Sequence, residues 1–431
     1  MITAPLRKWS YLAGVRGRNP LILKRLEFLL DSQGWSRDAL LAHQLSSLKN
    51  LLKHAHQSCD YYKRMFLSVG LSPEDITSLD DLKSVPVLEK PMLLENRASI
   101  QLMNYPEKLF YSETSGSTGR PLVFYRNADW DAWHRASVFR GYSWYGVQPW
   151  ERNGYLWGYN FSPMKRTKTR WLDFLQNRFR LFSYQDDEID VFLNQLQKAS
   201  YLGGYSSMIY EVAKRVNALG RAGDFRLKMV KGTSEKIFDS YQEEVFKAFG
   251  RRITSEYGAA EAGIIAFECP SGSMHVNMET AIVEEEDDQI VITNLVSRSF
   301  PIIRYRLGDY IKLDWTTQCE CGMKHPSVRE ILGRVGKVIY GTSATYPSLT
   351  LYYVFKNLAM TRNLVLNYQA VQRERGRLDV AIEGSLSDSD RVLLEREFEK
   401  YFHEDISVAI TDNQNLKSDK KKKTDFVSEI A

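Results

Sequence analysis

A loop rich in hydroxyls and glycines, YSETSGSTGRPLVFY at 111–125, is the first feature with residue types suited to chemistry. Small residues let consecutive backbone N–H groups turn inward and bind an anion, and serine and threonine hydroxyls donate to phosphate oxygens. The loop is not a Walker A motif, because Arg120 follows Gly119 where that motif has Lys-Ser/Thr. The residues therefore predict a phosphate-binding loop, with a flexible surface linker as the alternative.

Two acidic residues are predicted to complete a nucleotide site. Glu261 lies in SEYGAAEAG at 255–263, among small residues that follow a predicted strand. A carboxylate at the carboxyl edge of a strand, near a phosphate loop, is a usual ligand of Mg²⁺. Asp309 ends a basic strand in PIIRYRLGDY at 301–310 and can accept two hydrogen bonds from ribose hydroxyls. Taken singly, the alternatives are an exposed loop glutamate and an ordinary turn aspartate.

Three of the four cysteines lie with a histidine in two turn segments. Cys269 and His275 are in ECPSGSMHV, and Cys319 and Cys321 are in CECGMKH. Three thiolates and one imidazole form a ligand set suited to structural Zn²⁺, with His325 as the reserve ligand. The alternative is three unpaired loop cysteines and a surface histidine. Four unevenly spaced cysteines do not make a disulfide framework in 431 residues.

The predicted elements that position these residues are those of an α/β protein. Residues about 1–105 are mainly helical, because HQLSSLKNLLKHAHQSCDYYKRMF places apolar residues at i, i+3 and i+4, and Cys59 is predicted as a small buried residue of this helix. Between about 109 and 332, apolar runs predict strands that alternate with amphipathic helices such as DSYQEEVFKAFG. The strand segments are PLVFY, SMIYEV, QIVITNLV, PIIRYRL and YIKLDW.

The character of the chain changes after GRVGK at 333–337. Strands are predicted at LVLNYQAVQ, LDVAIEG and ISVAIT, and a helix at DRVLLEREFEKYF, whose apolar residues share one face. We therefore expect a large body over 1–335 and a compact α+β lid over 336–431, joined by a hinge. The apolar face of the helix carries Leu394, Phe398, Tyr401 and Phe402.

Composition and charge exclude several classes of protein. A content of 43% hydrophobic and 26% charged residues is ordinary for a globular chain and does not fit a disordered one. The net charge of +5 is weak evidence for a polyanion partner. No apolar run fits a signal peptide or approaches the length of a membrane span, so a cytoplasmic protein without a transmembrane segment is expected.

The order of the motifs is specific, and it resembles that of the adenylate-forming superfamily. The nearest likeness is to the phenylacetate-coenzyme A ligase family, in particular its branch associated with capsular-polysaccharide biosynthesis. The resemblance covers nearly the whole chain, including LGGYSSMIYEVAK and GTSEKIFDSYQEEVFKAFG. It is carried by SGSTGRP at 115–121, YGAAEAG at 257–263, YRLGD at 305–309 and GRVGK at 333–337.

The resemblance implies a two-step reaction. A carboxylate attacks the α-phosphorus of MgATP, pyrophosphate leaves, and the acyl-adenylate passes to a thiol, of coenzyme A or a carrier pantetheine, or to an amine. A carboxylate is a poor electrophile, so the mixed anhydride supplies a leaving group, and the protein's task is positioning and charge neutralisation. A closing lid excludes water. The branch implies a role in acyl modification for surface polysaccharide.

The resemblance also implies the roles of individual residues. Glu261 binds Mg²⁺, Tyr257 and Gly258 border the adenine or the acid, and Asp309 holds the ribose hydroxyls. Arg334 contacts ribose or phosphate near the hinge, and the zinc would pin two loops of the body without taking part in chemistry. The triphosphate is held by Thr114, Ser115, Gly116, Ser117, Thr118, Gly119 and Arg120.

Two positions depart from the pattern of the family. Gly336 stands where the hinge residue is usually charged, although glycine permits the backbone rotation of a hinge. The adenylation lysine falls in a run, Lys420 to Lys423, and counting back from Phe426 makes Lys423 the best match. Such a lysine neutralises charge on the α-phosphate and the attacking carboxylate as they approach.

Two hypotheses from other classes stay open. The first is a catalytically degenerate nucleotide- or coenzyme-binding protein of the same fold, which Gly336 and the irregular lysine loop favour. The second is a zinc-dependent nucleic-acid-binding protein that uses the basic segment 417–425, and it predicts salt-sensitive binding. We expect no nucleic-acid partner. The sequence does not identify the acid, the final acceptor or the oligomeric state.

Overall fold

The structure, a computed structural model, forms two compact units, each with its own hydrophobic core. The larger unit holds the described residues up to 333, and the smaller unit holds those from 334 onward. Within the described part of the chain, no helix is long and apolar enough to cross a membrane. The described residues are 4–114, 122–156, 163–182, 186–234, 237, 239–287, 289–334, 338–362, 364, 366, 368–414 and 426–430.

Helices dominate the first hundred residues, as predicted. Ser36 caps the third helix by accepting a hydrogen bond from the backbone N–H of Ala39 at 3.2 Å. Cys59 is fully buried, as predicted, but it lies between the third and fourth helices and not inside one. The helices are α1 Ala4–Arg18, α2 Leu21–Ser32, α3 Arg37–Ser58, α4 Asp60–Val69, α5 Lys90–Glu95 and α6 Arg97–Ile100, with short 3₁₀ turns at Pro73–Asp75 and Asp80–Ser84.

A hairpin and a large mixed sheet form the rest of the larger unit. Strands β1 and β2 pair with each other, and the large sheet has the order β10-β11-β12-β13-β9-β8-β7-β6-β5-β3-β4. The strands are β1 Leu109–Glu113, β2 Val123–Asn127, β3 Asn153–Leu156, β4 Arg178–Arg180, β5 Tyr201–Tyr205, β6 Met229–Thr233, β7 Ile253–Ala259, β8 Gly263–Glu268, β9 Met274–Val276, β10 Ala281–Glu286, β11 Gln289–Asn294, β12 Ile302–Asp314 and β13 Ser327–Arg334. The helices are α7 Ala128–Trp144, α8 Pro163–Leu175, α9 Asp186–Leu196, α10 Ser206–Ala218 and α11 Asp239–Phe249.

The sheet is parallel at one end and antiparallel at the other. Strands β4, β3, β5, β6 and β7 run parallel, with helices between successive strands, and this arrangement places their carboxyl ends at one edge. Strand β8 pairs antiparallel with β7 on one side and with β9 on the other. Ligands of open α/β sheets bind beyond the carboxyl ends of parallel strands, so β5, β6 and β7 point to the candidate site.

One predicted strand segment is helical, and two others form a single strand. SMIYEV belongs to helix α10, because Ile209, Val212, Ala213 and Val216 recur at helical spacing and are fully buried. The strand that precedes this helix is β5. PIIRYRL and YIKLDW are parts of one 13-residue strand, β12, and not two strands.

The smaller unit is an α+β layer structure with the strands and helix predicted for the tail. Leu394, Phe398 and Phe402 of its second helix are buried against the sheet, and Tyr401 is half-buried. A first helix, which the sequence reading missed, packs in the same core. The elements are β14 Val338–Tyr340, β15 Thr345–Pro347, α12 Leu349–Arg362, β16 Tyr368–Gln372, β17 Arg377–Glu383, α13 Asp388–Phe402, β18 Ser407–Gln414 and β19 Phe426–Ser428, with sheet order β18-β17-β16-β19. The predicted α/β class is confirmed.

Candidate active site and metal centre

The predicted phosphate loop connects the two strands of the β1–β2 hairpin. Thr114 and Leu122 close its base: the backbone N–H of Thr114 donates to the carbonyl of Leu122 at 3.0 Å, and the N–H of Leu122 donates to Thr114 Oγ1 at 2.9 Å. The hydroxyl of Thr114 therefore fixes the neck of the loop. The predicted loop residues Ser115, Gly116, Ser117, Thr118, Gly119 and Arg120 lie outside the described residues.

The structure brings the second and third motifs together. The Tyr257 hydroxyl donates to Asp309 Oδ2 at 2.7 Å, joining β7 to β12 across the sheet. The prediction that Asp309 ends a strand is wrong. Asp309 lies in a bulge within β12, where Gly308 has φ +84° and the pairing with β11 shifts register. A bulge re-aims side chains, which explains how a residue inside a strand reaches Tyr257.

Glu261 occupies the tight turn between β7 and β8. Its side chain is largely buried, at 7% exposure, which does not fit the alternative of an exposed loop glutamate. Its carbonyl accepts a hydrogen bond from Asn294 Nδ2 at 3.2 Å. Gly258 is required by sterics, because a Cβ there would lie 2.4 Å from the carbonyl oxygen of Gly263, which itself has φ +81°. The small residues of the motif therefore serve this close turn.

Several further predicted residues fall where the structure gives no side-chain description. Arg334 ends β13, but its side chain is outside the described set. Gly336 and the basic segment with Lys420, Lys421, Lys422 and Lys423 also lie outside the described residues. Their roles stay predictions from the resemblance.

A buried ion pair next to Tyr257 is a feature that the sequence reading missed. Lys231 Nζ lies 2.8 Å from Glu256 Oε1, and the two side chains are 9% and 8% exposed. Thr233 donates to the same carboxylate oxygen at 2.9 Å. Within the described residues, Glu256 Oε2 is buried without a hydrogen-bond partner. The signal in the sequence was a lysine and a glutamate inside two strands of a parallel sheet, where apolar residues are the rule.

The two predicted cysteine segments meet. The ligand atoms of Cys269, His275, Cys319 and Cys321 all lie within 4.8 Å of one another. Cys269 Sγ and Cys319 Sγ are 3.6 Å apart, and Cys321 Sγ is 3.2 Å from His275 Nε2. Two thiolates bound to tetrahedral zinc at about 2.3 Å are roughly 3.8 Å apart, so the spacing fits such an ion.

The surroundings of His275 support a ligand role for its Nε2 atom. Its Nδ1 lies 3.2 Å from the carbonyl oxygen of His325, which fixes the ring orientation as outer partners do at zinc sites. Burial acts to raise the pKa of Cys319, but hydrogen bonds from Ser273 and Cys321 outweigh it and lower the pKa to about 6. The four ligand atoms include that of His275, and His325, the predicted reserve ligand, is not among them.

His325 belongs instead to a buried network next to the cluster of Cys269, His275, Cys319 and Cys321. Its Nε2 lies 3.0 Å from Glu279 Oε1, which also accepts from Ser32 at 2.7 Å and from Arg140 Nη1 at 2.5 Å. Arg140 and Glu279 have side-chain exposures of 2% and 0%. The network thus links helices α2 and α7 to the segments that carry the cysteines.

Comparisons with known proteins agree with these motifs. No family profile matches the chain. Protein CapK of Staphylococcus aureus is 21% identical over 303 residues, covering 68% of this chain and 67% of CapK. Phenylacetate-coenzyme A ligase of Thermus thermophilus is 24% identical over 375 residues, covering 80% and 81%. The same-named enzyme of Pseudomonas putida is 35% identical over 100 residues, 23% of each chain.

Solved structures share the fold. A 2-hydroxyisobutyryl-CoA ligase, crystallised in the postadenylation state with 2-HIB-AMP, aligns with a TM-score of 0.62 and 17% identity over 93% of this chain and 92% of its own. Its open form with 2-HIB-AMP and CoA aligns with a TM-score of 0.56 over 88% and 89%. The predicted resemblance to phenylacetate-coenzyme A ligase-like proteins and the prediction of an adenylate-forming ligase are confirmed.

Proposed function

We propose that this adenylate-forming ligase, a distant relative of the phenylacetate-coenzyme A ligases and of CapK, activates a carboxylic acid as acyl-AMP and transfers the acyl group to coenzyme A. The observation that carries the proposal is the hydrogen bond between Tyr257 and Asp309, because it unites two motifs that are 52 residues apart in sequence. A carrier pantetheine or an amine is the other acceptor considered. Acyl modification for surface polysaccharide is the proposed context, supported by the likeness to CapK.

The described residues support separate binding roles for the ribose, the metal ion and the phosphates of MgATP. Asp309, placed by Tyr257, would accept hydrogen bonds from the ribose hydroxyls, and Glu261 would hold Mg²⁺, which neutralises charge on the phosphates. The hairpin neck at Thr114 would hold the phosphate loop in place. This chain's own task is to orient the acid and nucleotide and to stabilise the charge that develops at the α-phosphate.

The ion pair of Lys231 and Glu256 supports an acid with a polar substituent. Glu256 pairs in register with Thr233, the last residue of β6, so it lies at the carboxyl edge of the parallel strands, where ligands of such sheets bind. A buried carboxylate oxygen without a partner is costly and is satisfied by a ligand that carries an N–H or O–H group. We therefore propose a hydroxy- or amino-substituted acid over an unsubstituted aryl or alkyl acid.

Acid-dependent exchange of labelled pyrophosphate into ATP tests the reaction. The panel pairs each unsubstituted acid with hydroxy- and amino-substituted analogues of the same skeleton, followed by an assay that measures the loss of the free thiol of coenzyme A. Exchange with a substituted acid, and thioester formation, is the expected result. No exchange with any acid, together with retained ATP binding, would favour the catalytically degenerate protein. Exchange that is equal for both members of a pair would contradict only the role of Glu256.

Asp309→Ala is expected to raise the KM for ATP about 10- to 100-fold, because the loss of a hydrogen bond to a charged group costs about 1.5–3 kcal/mol. The KM for the acid should change much less. Steady-state kinetics with each substrate varied measures both values. Asp287→Ala is the control, since Asp287 is an exposed aspartate of the same sheet at the β10–β11 turn. An unchanged KM for ATP would remove Asp309 from the nucleotide site.

We also propose that Cys269, His275, Cys319 and Cys321 hold a structural Zn²⁺. The ion would tie the β8–β9 turn to the segment between β12 and β13. Cys321→Ser is expected to lower bound zinc from about one ion per chain to well under half, and to lower the melting temperature by several degrees, because structural zinc contributes directly to folding. Elemental analysis and thermal unfolding measure these effects. Cys59→Ser, at a buried cysteine outside the cluster, should leave the zinc content unchanged.

A further inference from the structure

Two neighbouring helices of the larger unit present large apolar side chains to solvent. They are Leu6 and Trp9 of α1, exposed by 57% and 65%, and Trp171, Leu172, Phe174 and Leu175 of α8, exposed by 66%, 48%, 64% and 46%. We call these six side chains, together with the exposed basic residues beside them, the α1–α8 face. Exposed apolar side chains clustered in this way mark an interaction surface.

The geometry of α8 separates an outer face from an inner one. Residues 168, 171, 172 and 175 follow at helical spacing and are all exposed. Asp173 points inward, with 4% exposure, and its carboxylate accepts two hydrogen bonds from Arg180 at 2.8 and 2.9 Å. Helix α1 lies against α8, and Arg7 donates to Asn177, just beyond the end of α8. The two helices therefore form one surface.

The exposed charged side chains of these two helices are all positive. Helix α1, APLRKWSYLAGVRGR, has no acidic residue, and the single acidic residue of α8, PMKRTKTRWLDFL, is the buried Asp173. Lys8, Arg16, Lys168 and Arg170 are exposed, and in the part of the chain that the structure describes none of them pairs with a carboxylate. Lys8 lies over the ring of Trp150 at 5.3 Å, beside the apolar side chains.

We propose that the α1–α8 face docks on the surface of an anionic phospholipid bilayer. Tryptophan, phenylalanine and leucine side chains bordered by cations match the layering of such an interface, where apolar groups enter the boundary of the acyl chains and cations meet the headgroup phosphates. A second copy of the chain fits less well. A twofold interface would bring the same cations opposite one another, without an exposed carboxylate on either helix to compensate them.

Co-sedimentation of the full chain with vesicles tests this docking. The protein is expected to bind vesicles of phosphatidylcholine with phosphatidylglycerol, and not vesicles of phosphatidylcholine alone. Trp171→Ser combined with Phe174→Ser should reduce binding at least about tenfold, because two aromatic side chains no longer enter the bilayer. Lys8→Glu combined with Lys168→Glu should also reduce it. Salt at about 1 M, where the Debye length is about 3 Å, should release the protein.

Matched controls lie on other helices. Leu67→Ser with Phe246→Ser removes two side chains of similar exposure, 78% and 56%, from α4 and α11, and should leave vesicle binding unchanged. Far-UV circular dichroism confirms that each variant is folded. Failure to bind anionic vesicles, or equal loss in the control, overturns the proposal. So does a concentration-dependent dimer in sedimentation velocity that Trp171→Ser with Phe174→Ser abolishes, since the face would then belong to a second copy.

Discussion

Glu279→Gln is expected to lower the free energy of unfolding of the protein by about 3–5 kcal/mol, because it leaves the buried guanidinium of Arg140 without its ionic partner. Arg140 contacts both carboxylate oxygens of Glu279, and both side chains are almost fully buried. His325 and Ser32 would also lose the negatively charged oxygen, Glu279 Oε1, with which both form hydrogen bonds. Denaturant unfolding followed by tryptophan fluorescence measures the loss.

The control for this substitution is a pair at the surface. Glu151 pairs with the half-exposed Lys228 at 2.9 Å, so Glu151→Gln should cost no more than about 1 kcal/mol. Adding Arg140→Met to Glu279→Gln should recover part of the stability, because the unpaired charge is then removed as well. Equal losses for Glu279→Gln and Glu151→Gln would contradict the view that burial sets the cost.

The stability supplied by Glu279 depends on pH in a defined direction. Burial acts to raise the pKa of Glu279, but Arg140 and His325 outweigh it and hold the pKa well below its usual range. A folded-state pKa below the unfolded value, about 4.3, gives a stabilisation that is complete above that pH. It is lost as the pH falls through the folded-state value. The difference in stability between wild type and Glu279→Gln should therefore shrink in acid.

Sequence patterns predicted the parts of the site that depend on local chemistry. Cys269, Cys319 and Cys321 could be found because cysteine is rare in this chain and each lies in a turn. Gly258 and Glu261 could be found because small residues around one carboxylate mark a tight turn. The helices α3, α11 and α13 follow from apolar spacing over many residues, a signal that local propensity rarely reverses.

Contacts between residues that are far apart in sequence could not be predicted, because only the tertiary fold brings these residues together. Arg140 and Glu279 are 139 residues apart, and neither has a local pattern that identifies its partner. SMIYEV was misread because a six-residue apolar run fits a strand as well as a buried turn of helix. The bulge that turns Asp309 toward Tyr257 depends on the register between β11 and β12, which strand patterns do not specify.

Lys423→Ala is expected to lower the rate of acyl-adenylate formation about 10²–10³-fold, the usual cost of removing one group that stabilises charge in a transition state. The resemblance assigns this lysine to the approach of the carboxylate on the α-phosphate, where two negative groups come together. The KM for ATP should change little, because the interaction is strongest in the transition state. Pyrophosphate exchange measures the adenylation step.

The second half-reaction separates catalysis from a general loss of structure. If Lys423 acts only in adenylation, the variant should convert a synthetic acyl-adenylate to its thioester at nearly the wild-type rate, since the charge that the lysine neutralises is already gone. Lys420→Ala, in the same basic run, is the matched control and should keep both activities. Equal losses in both steps for Lys423→Ala, or an equal loss of exchange for Lys420→Ala, would remove the assignment. The run would then act as a solvated basic segment whose summed charge, and not one positioned ammonium group, matters for the reaction.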